Sequence, residues 1–288
     1  MAKVTDLCFE ATGHTVLICD FSPPRSGDPE SFPKPNLDTD FISVAYNPGR
    51  AVRVNSAMLA AAIKGQTGKD VVFTLATRDM NKLALESLLL GGQMLGLDNV
   101  VVVQGDSFTE RDLIRVKDVS DFTPTQMITA IADMNLGTVY RESQLRAPTG
   151  YCIGATLDLG RGIGEEAKLT HRKAQAGAQF FISQPIFDVA EASRFGEAYK
   201  TAAGQDLSLP VFFGLQVLEQ DGIIFSTVPE AVRKELEQGR SGVEIALELY
   251  QRFQEAGLHN VYLVPPIRRG GARGYAATRE VLAGVRRL

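Results

Sequence analysis

Eight short apolar runs recur along the 288 residues, all but the first followed by a polar turn and then by a stretch of helical character, and this alternation narrows the fold more than anything else in the chain. The runs at 14–21, 41–46, 70–76, 99–104, 151–156, 180–184, 210–216 and 260–264 have the length and composition of strands. Helical patterns fill the gaps at 56–64 (behind Asn55 as cap), 82–95, 124–134, 165–176, 189–204, 229–237 with 242–256, and 275–287. Strands that alternate strictly with helices pair in parallel, since a parallel partner needs a crossover long enough to hold a helix. Eight such units predict a closed (β/α)8 TIM barrel, one domain over 1–288. A doubly wound open sheet is the competing arrangement. It usually carries a glycine fingerprint after the first strand, where this chain has Ser22-Pro-Pro-Arg25. The Pro- and Ser-rich segment from there to Leu37 reads as a mobile loop.

A hydrophobic fraction of 44% is enough for a sizeable core, and a net charge of −4 without a basic face argues against nucleic acid as a partner. The run Arg268, Arg269, Arg273 is local and calls for a local explanation. Cys8, Cys19 and Cys152 are far apart and suit neither a disulfide framework nor a zinc site, so they read as small hydrophobes in a reducing cytoplasm. His14, His171 and His259 fall at unrelated positions, which gives no metal constellation and no Ser/His/Asp hydrolase. No apolar run reaches the roughly 18 residues of a membrane span, and no signal-peptide pattern opens the chain.

A barrel of this kind binds its ligands at the C-terminal ends of the strands. The polar residues gathered there are Asp20, Tyr46, Asn47, Thr74, Arg78, Asp79, Asn81, Asp106, Thr156, Asp158, Gln184, Gln216 and Arg268. Asp20 shares parity with Val16 and Ile18, so it points to the same face as core residues. Such an aspartate is either paired, with Arg25 as one loop arginine within reach, or kept for proton transfer. Asp106 follows Gly105 after four valines and is a second strand-end acid, or else a helix N-cap. Gln184 stands where a buried run stops before Pro185; it either meets a ligand or satisfies loop backbone.

At these motifs the sequence resembles the methylenetetrahydrofolate reductase family, most of all the reductase half of the proteins that fuse it to a homocysteine methyltransferase. The matching pieces are Asp20-Phe-Ser-Pro-Pro-Arg25, Ala45-Tyr-Asn-Pro48, Thr77-Arg-Asp-Met-Asn81, Glu86-Ser-Leu-Leu-Leu-Gly91, Gly105-Asp106, Arg172-Lys-Ala-Gln-Ala-Gly-Ala178, Ser183-Gln-Pro-Ile-Phe-Asp188 and Tyr262-Leu-Val-Pro-Pro-Ile-Arg268. Their order and spacing along nearly the whole chain carry the resemblance.

The resemblance implies a (β/α)8 barrel in which NAD(P)H reduces bound FAD and the reduced flavin then reduces 5,10-methylenetetrahydrofolate to 5-methyltetrahydrofolate. In that scheme Asp20 is the proton donor, Asp106 stabilises the cationic iminium, and Gln184 bonds the substrate. Arg268 meets the folate carboxylate tail. Tyr46, Thr74, Gln104, Gly105, Asp106, Arg172 and Lys173 fall on flavin-binding positions, with Arg172 and Lys173 at the diphosphate. A homo-oligomer is expected. The chain departs from the family at Asp20, where glutamate is usual, and at Gln104, where the family has arginine. The stretch 156–166 lacks the tyrosine and histidine that line the flavin nucleotide. Two further readings follow: direct reduction by NAD(P)H without flavin, and a catalytically weak folate- or pterin-binding subunit that works with a partner.

Overall fold

A computed structural model of the chain describes residues 2–10, 14–32, 34–225, 227–268 and 272–287, so Arg269 of the basic run lies outside the described residues. The predicted runs form β1 (Val16–Phe21), β2 (Phe41–Val44), β3 (Asp70–Ala76), β4 (Asn99–Val103), β5 (Cys152–Leu157), β6 (Phe180–Pro185), β7 (Val211–Gln216) and β8 (Asn260–Val264). All neighbours are parallel, and β8 pairs with β1 to close the barrel, leaving no sheet edge. The helices are α1 (Val4–Glu10), α2 (Ser56–Thr67), α3 (Lys82–Met94), α4 (Glu110–Leu113), α5 (Pro124–Asn135), α6 (Ile163–Gln175), α7 (Ala190–Ala203), α8 (Glu230–Glu237), α9 (Gly242–Glu255) and α10 (Tyr275–Val285). Among the described residues no helix is long and apolar enough to cross a membrane.

The strand period of two sorts the apolar residues into two cores. Val16, Ile18, Phe41, Val72, Val101, Cys152, Phe180, Ile182 and Phe212 fill the barrel interior. Their alternates, such as Leu17, Ile42, Phe73 and Phe181, pack outward against the helices. Gly154 lets the Phe180 ring cross the interior, because a Cβ there would lie 2.3 Å from its Cζ. Phe180 in turn meets Phe212 edge to face.

The lower end of the barrel is shut by α1, which the sequence pattern did not announce. Val4 is fully buried, its N–H donates to Asn99 Oδ1 at 2.9 Å, and Asn99 Nδ2 donates to the Ala2 carbonyl. Helix starts follow their caps: Asn55, as expected, accepts from the N–H groups of Ala57 and Met58. The segment expected to be a mobile loop is held at its two ends, while residues 25–31 are exposed. Arg53 Nη1 donates to the Pro23 carbonyl at 2.8 Å, Val54 N–H donates to that of Pro24, and Leu37 is buried. With the bottom plugged, the upper ends of the strands are where a ligand can enter.

Candidate active site

Asp20 sits on the inner wall at the top of β1, 5% exposed, and both of its oxygens are engaged. Tyr262 donates its hydroxyl to Oδ1 at 3.1 Å and Arg273 donates Nε to Oδ2 at 3.0 Å. Desolvation, with the Asp20 charge behind it, pushes the Tyr262 hydroxyl well above its ordinary range, so it stays a proton donor. Burial works to lower the Arg273 guanidinium, but the charge and hydrogen bond of Asp20 outweigh it and hold the group raised. The partner of Asp20 is therefore Arg273, from the loop after β8, and not Arg25. That is the local explanation for one member of the basic run. Arg268 has another: it forms a two-pronged pair with Glu219 at 2.7 and 3.0 Å, on the rim beyond β7.

A second network lines the mouth above β2, β3 and β4. Arg78, almost fully buried, donates Nε and Nη2 to Asp79 at 2.5 and 2.8 Å, while Nη1 bonds the Asp106 carbonyl. Its guanidinium lies 4.1 Å above the Phe108 ring. Tyr46 is half-buried and bonds Asp79; burial first, then the Asp79 charge, pushes its hydroxyl up to about 12. Burial opposes ionisation of Asp79, but the hydrogen bonds from Arg78 and Tyr46 leave its carboxyl below the usual range.

The Asp106 side chain is exposed and accepts from Gly49 N–H at 3.0 Å, tying the β2 loop to the β4 loop. It caps no helix, since the N-cap of α4 is Thr109. That β2 loop is tightly wound, with Asn47, Gly49 and Arg50 all at positive φ. Gly105 (φ +92°) lets the chain turn close over Arg78. Thr74 is half-buried with the inward parity of Val72, whereas the Gln104 side chain is exposed.

Gln184 owes its position to an irregularity. The β6–β7 register shifts between Ile182 and Pro185, Ser183 Oγ accepts the Gly214 N–H at 2.8 Å, and the same hydroxyl donates to the Gln184 carbonyl. Bulges of this sort re-aim side chains near sites. The Gln184 side chain is exposed, and no hydrogen bond of the described residues engages its amide, so it does not serve loop backbone. Two other strand-end residues are structural: Asn81 caps α3 and Asp158 accepts from Gly160 N–H.

The pair expected at the flavin diphosphate does not assemble. Lys173 is buried, its Nζ donating to the Thr156 carbonyl at 2.5 Å and lying 3.7 Å from Glu166. Burial holds its ammonium below the usual lysine range. Arg172 is exposed in the last turn of α6. A diphosphate needs cations whose heads are open to it. One of these is already committed to protein oxygens and the other lies on the outer helix layer. The residues present thus do not fit FAD in the way the resemblance assigns it.

Three site residues escaped the sequence reading: Tyr262, Arg273 and Ser43, whose buried side chain also bonds Tyr262. Tyr262 was within reach, because register places it beside Ile18 and Gly214 on the inward parity of β8. Arg273 carried no periodic signal, being in a Gly-rich loop.

Fold and site together define a single-domain (β/α)8 barrel with an anchored carboxylate on its inner wall and an amide at its mouth. The chain belongs to the methylenetetrahydrofolate reductase family, whose model matches residues 9–264. Among solved structures it is similar to an uncharacterised protein from Clostridium thermocellum that binds two copies of 5-methyl-5,6,7,8-tetrahydrofolic acid. That likeness has a TM-score of 0.67 at 13% identity and covers 98% of each chain.

Proposed function

We propose that this chain reduces a one-carbon unit on tetrahydrofolate, converting 5,10-methylenetetrahydrofolate to 5-methyltetrahydrofolate with hydride from NAD(P)H. The observation that carries the reading is Asp20: among the described residues it is the one buried carboxyl on the barrel's inner wall, in a chain of this family. The reduced-folate ligand of the Clostridium thermocellum protein agrees with it. In the reaction the bond from the methylene carbon to N10 breaks and N10 takes a proton. The resulting N5 iminium carbon accepts hydride, and NAD(P)+ leaves.

Asp20 takes up a proton from solvent and passes it to N10, with Tyr262 and Arg273 fixing the orientation of its carboxyl. Asp106 supplies negative charge at the rim for the iminium, and Gln184 offers an amide to the substrate. Arg268 meets the folate tail by exchanging Glu219 for a substrate carboxylate. Tyr46, Thr74, Gln104 and Gly105 line the side of the mouth where the co-substrate enters. The sequestered Lys173 favours direct transfer from the nicotinamide over a route through flavin. Two measurements test this. Purified protein should lack flavin absorbance, and it should oxidise NAD(P)H only when the methylene folate is added. Stoichiometric FAD in the purified protein would overturn the direct route, and an absence of folate-dependent oxidation would overturn the reductase reading.

A further inference from the structure

Gln216 ends β7 with the inward parity of Phe212, so its side chain points into the mouth. It is 4% exposed, yet no hydrogen bond of the described residues engages its amide, and neither amide atom is sealed from solvent. The other strand-end polar groups nearby are satisfied: Asp20 by Tyr262 and Arg273, Ser183 by Gly214 N–H, Lys173 by the Thr156 carbonyl. A primary amide offers two donors and two acceptor lone pairs, and here they stay open toward the mouth, unclaimed by the described residues and free to meet a ligand. Gly214 lies between this amide and the other open one. A Cβ at Gly214 would stand 2.6 Å from Pro185 N and 2.7 Å from the Gln184 carbonyl carbon, so the two strand ends touch.

We infer that Gln216 is a specificity-determining residue that hydrogen-bonds the donor–acceptor edge of the substrate's pterin ring, beside Gln184. The inference rests on the folate reading above and deepens it. The pterin presents adjacent N–H donors and a carbonyl acceptor in one plane, which a side-chain amide matches two at a time. Sites built to pair such groups reject ligands that lack them.

The test uses Gln216→Met, which keeps the volume, and Gln216→Glu, which keeps one acceptor edge. Binding of 5-methyltetrahydrofolate and of NADPH is measured separately by calorimetry, alongside the melting temperature. For Gln216→Met we expect an unchanged or raised melting temperature, roughly tenfold or more weaker folate binding, and NADPH binding unchanged. Gln216→Glu should fall between Met and the parent. Folate affinity within twofold of the parent in Gln216→Met overturns the assignment, as does a lowered melting temperature with parallel loss of both ligands, which marks a packing role. If the unaltered protein binds no reduced folate, the proposed function itself fails and this inference falls with it.

Discussion

Lys173 lies in the last turn of α6, but its stem runs back toward the helix N-terminus, as helical side chains do, and carries the ammonium to the top of β5. There it compensates Glu166, which is as buried as itself. Removing one partner of a buried pair leaves an uncompensated charge, so Lys173→Met should cost about 3–5 kcal/mol in denaturant unfolding. Arg172→Ala should stay within about 0.5 kcal/mol. Equal, small effects from the two would restore a ligand-binding role for both. Asp20 poses the opposite case, a buried pair at the working end. Asp20→Asn keeps the shape but removes the carboxyl, and it should lose on the order of 10²–10⁴-fold in folate reduction. A steady-state assay showing an unchanged rate would move the proton to another group.

At the scale of the element, the β6–β7 junction and the α3 face are the informative places. Gly214→Ala would push a methyl into the Pro185 backbone, and backbone cannot yield as a flexible side chain can. Overpacking of this kind costs about 1–3 kcal/mol. It should also displace Gln184, seen as a higher KM for the folate, and an unaltered melting temperature and KM would contradict this.

Glu86, one of the residues of the family resemblance, turns out to hold α3 to the loop after α5. Both of its oxygens accept from Tyr140 N–H at 3.1 Å, and burial holds its carboxyl above the ordinary range. The sign follows from linkage. A carboxyl whose folded pKa is raised contributes its stability fully below the unfolded value, and that contribution is lost as pH rises through the folded one. Glu86→Gln stops this titration and keeps an acceptor. The melting temperature of the variant relative to the parent should therefore climb from about pH 4 upward. A gap that stays constant over that range would show that Glu86 does not titrate in this way.

Over the whole molecule, what was legible followed the strand period. Eight runs of alternating parity and the helices between them were enough for the closed barrel, and parity alone put Asp20 on the inner wall. What did not repeat was not legible. Helix α1 is too short to show a periodic face, yet it plugs the barrel through Asn99. Arg273 reaches Asp20 across a separation of 253 residues, which no local pattern encodes. The direction of Lys173 depended on a buried glutamate two turns earlier on the same helix, not on its place in a basic motif.

We propose that the carboxyl at the top of β1 works on a one-carbon folate. One experiment meets it most directly: anaerobic incubation of the protein and of Asp20→Asn with NAD(P)H and 5,10-methylenetetrahydrofolate, with 5-methyltetrahydrofolate quantified by chromatography. The parent should form one methyl folate per nicotinamide oxidised, and the variant should be slower by on the order of 10²-fold or more. Methyl folate formed equally fast by both, or by neither, would contradict the proposal.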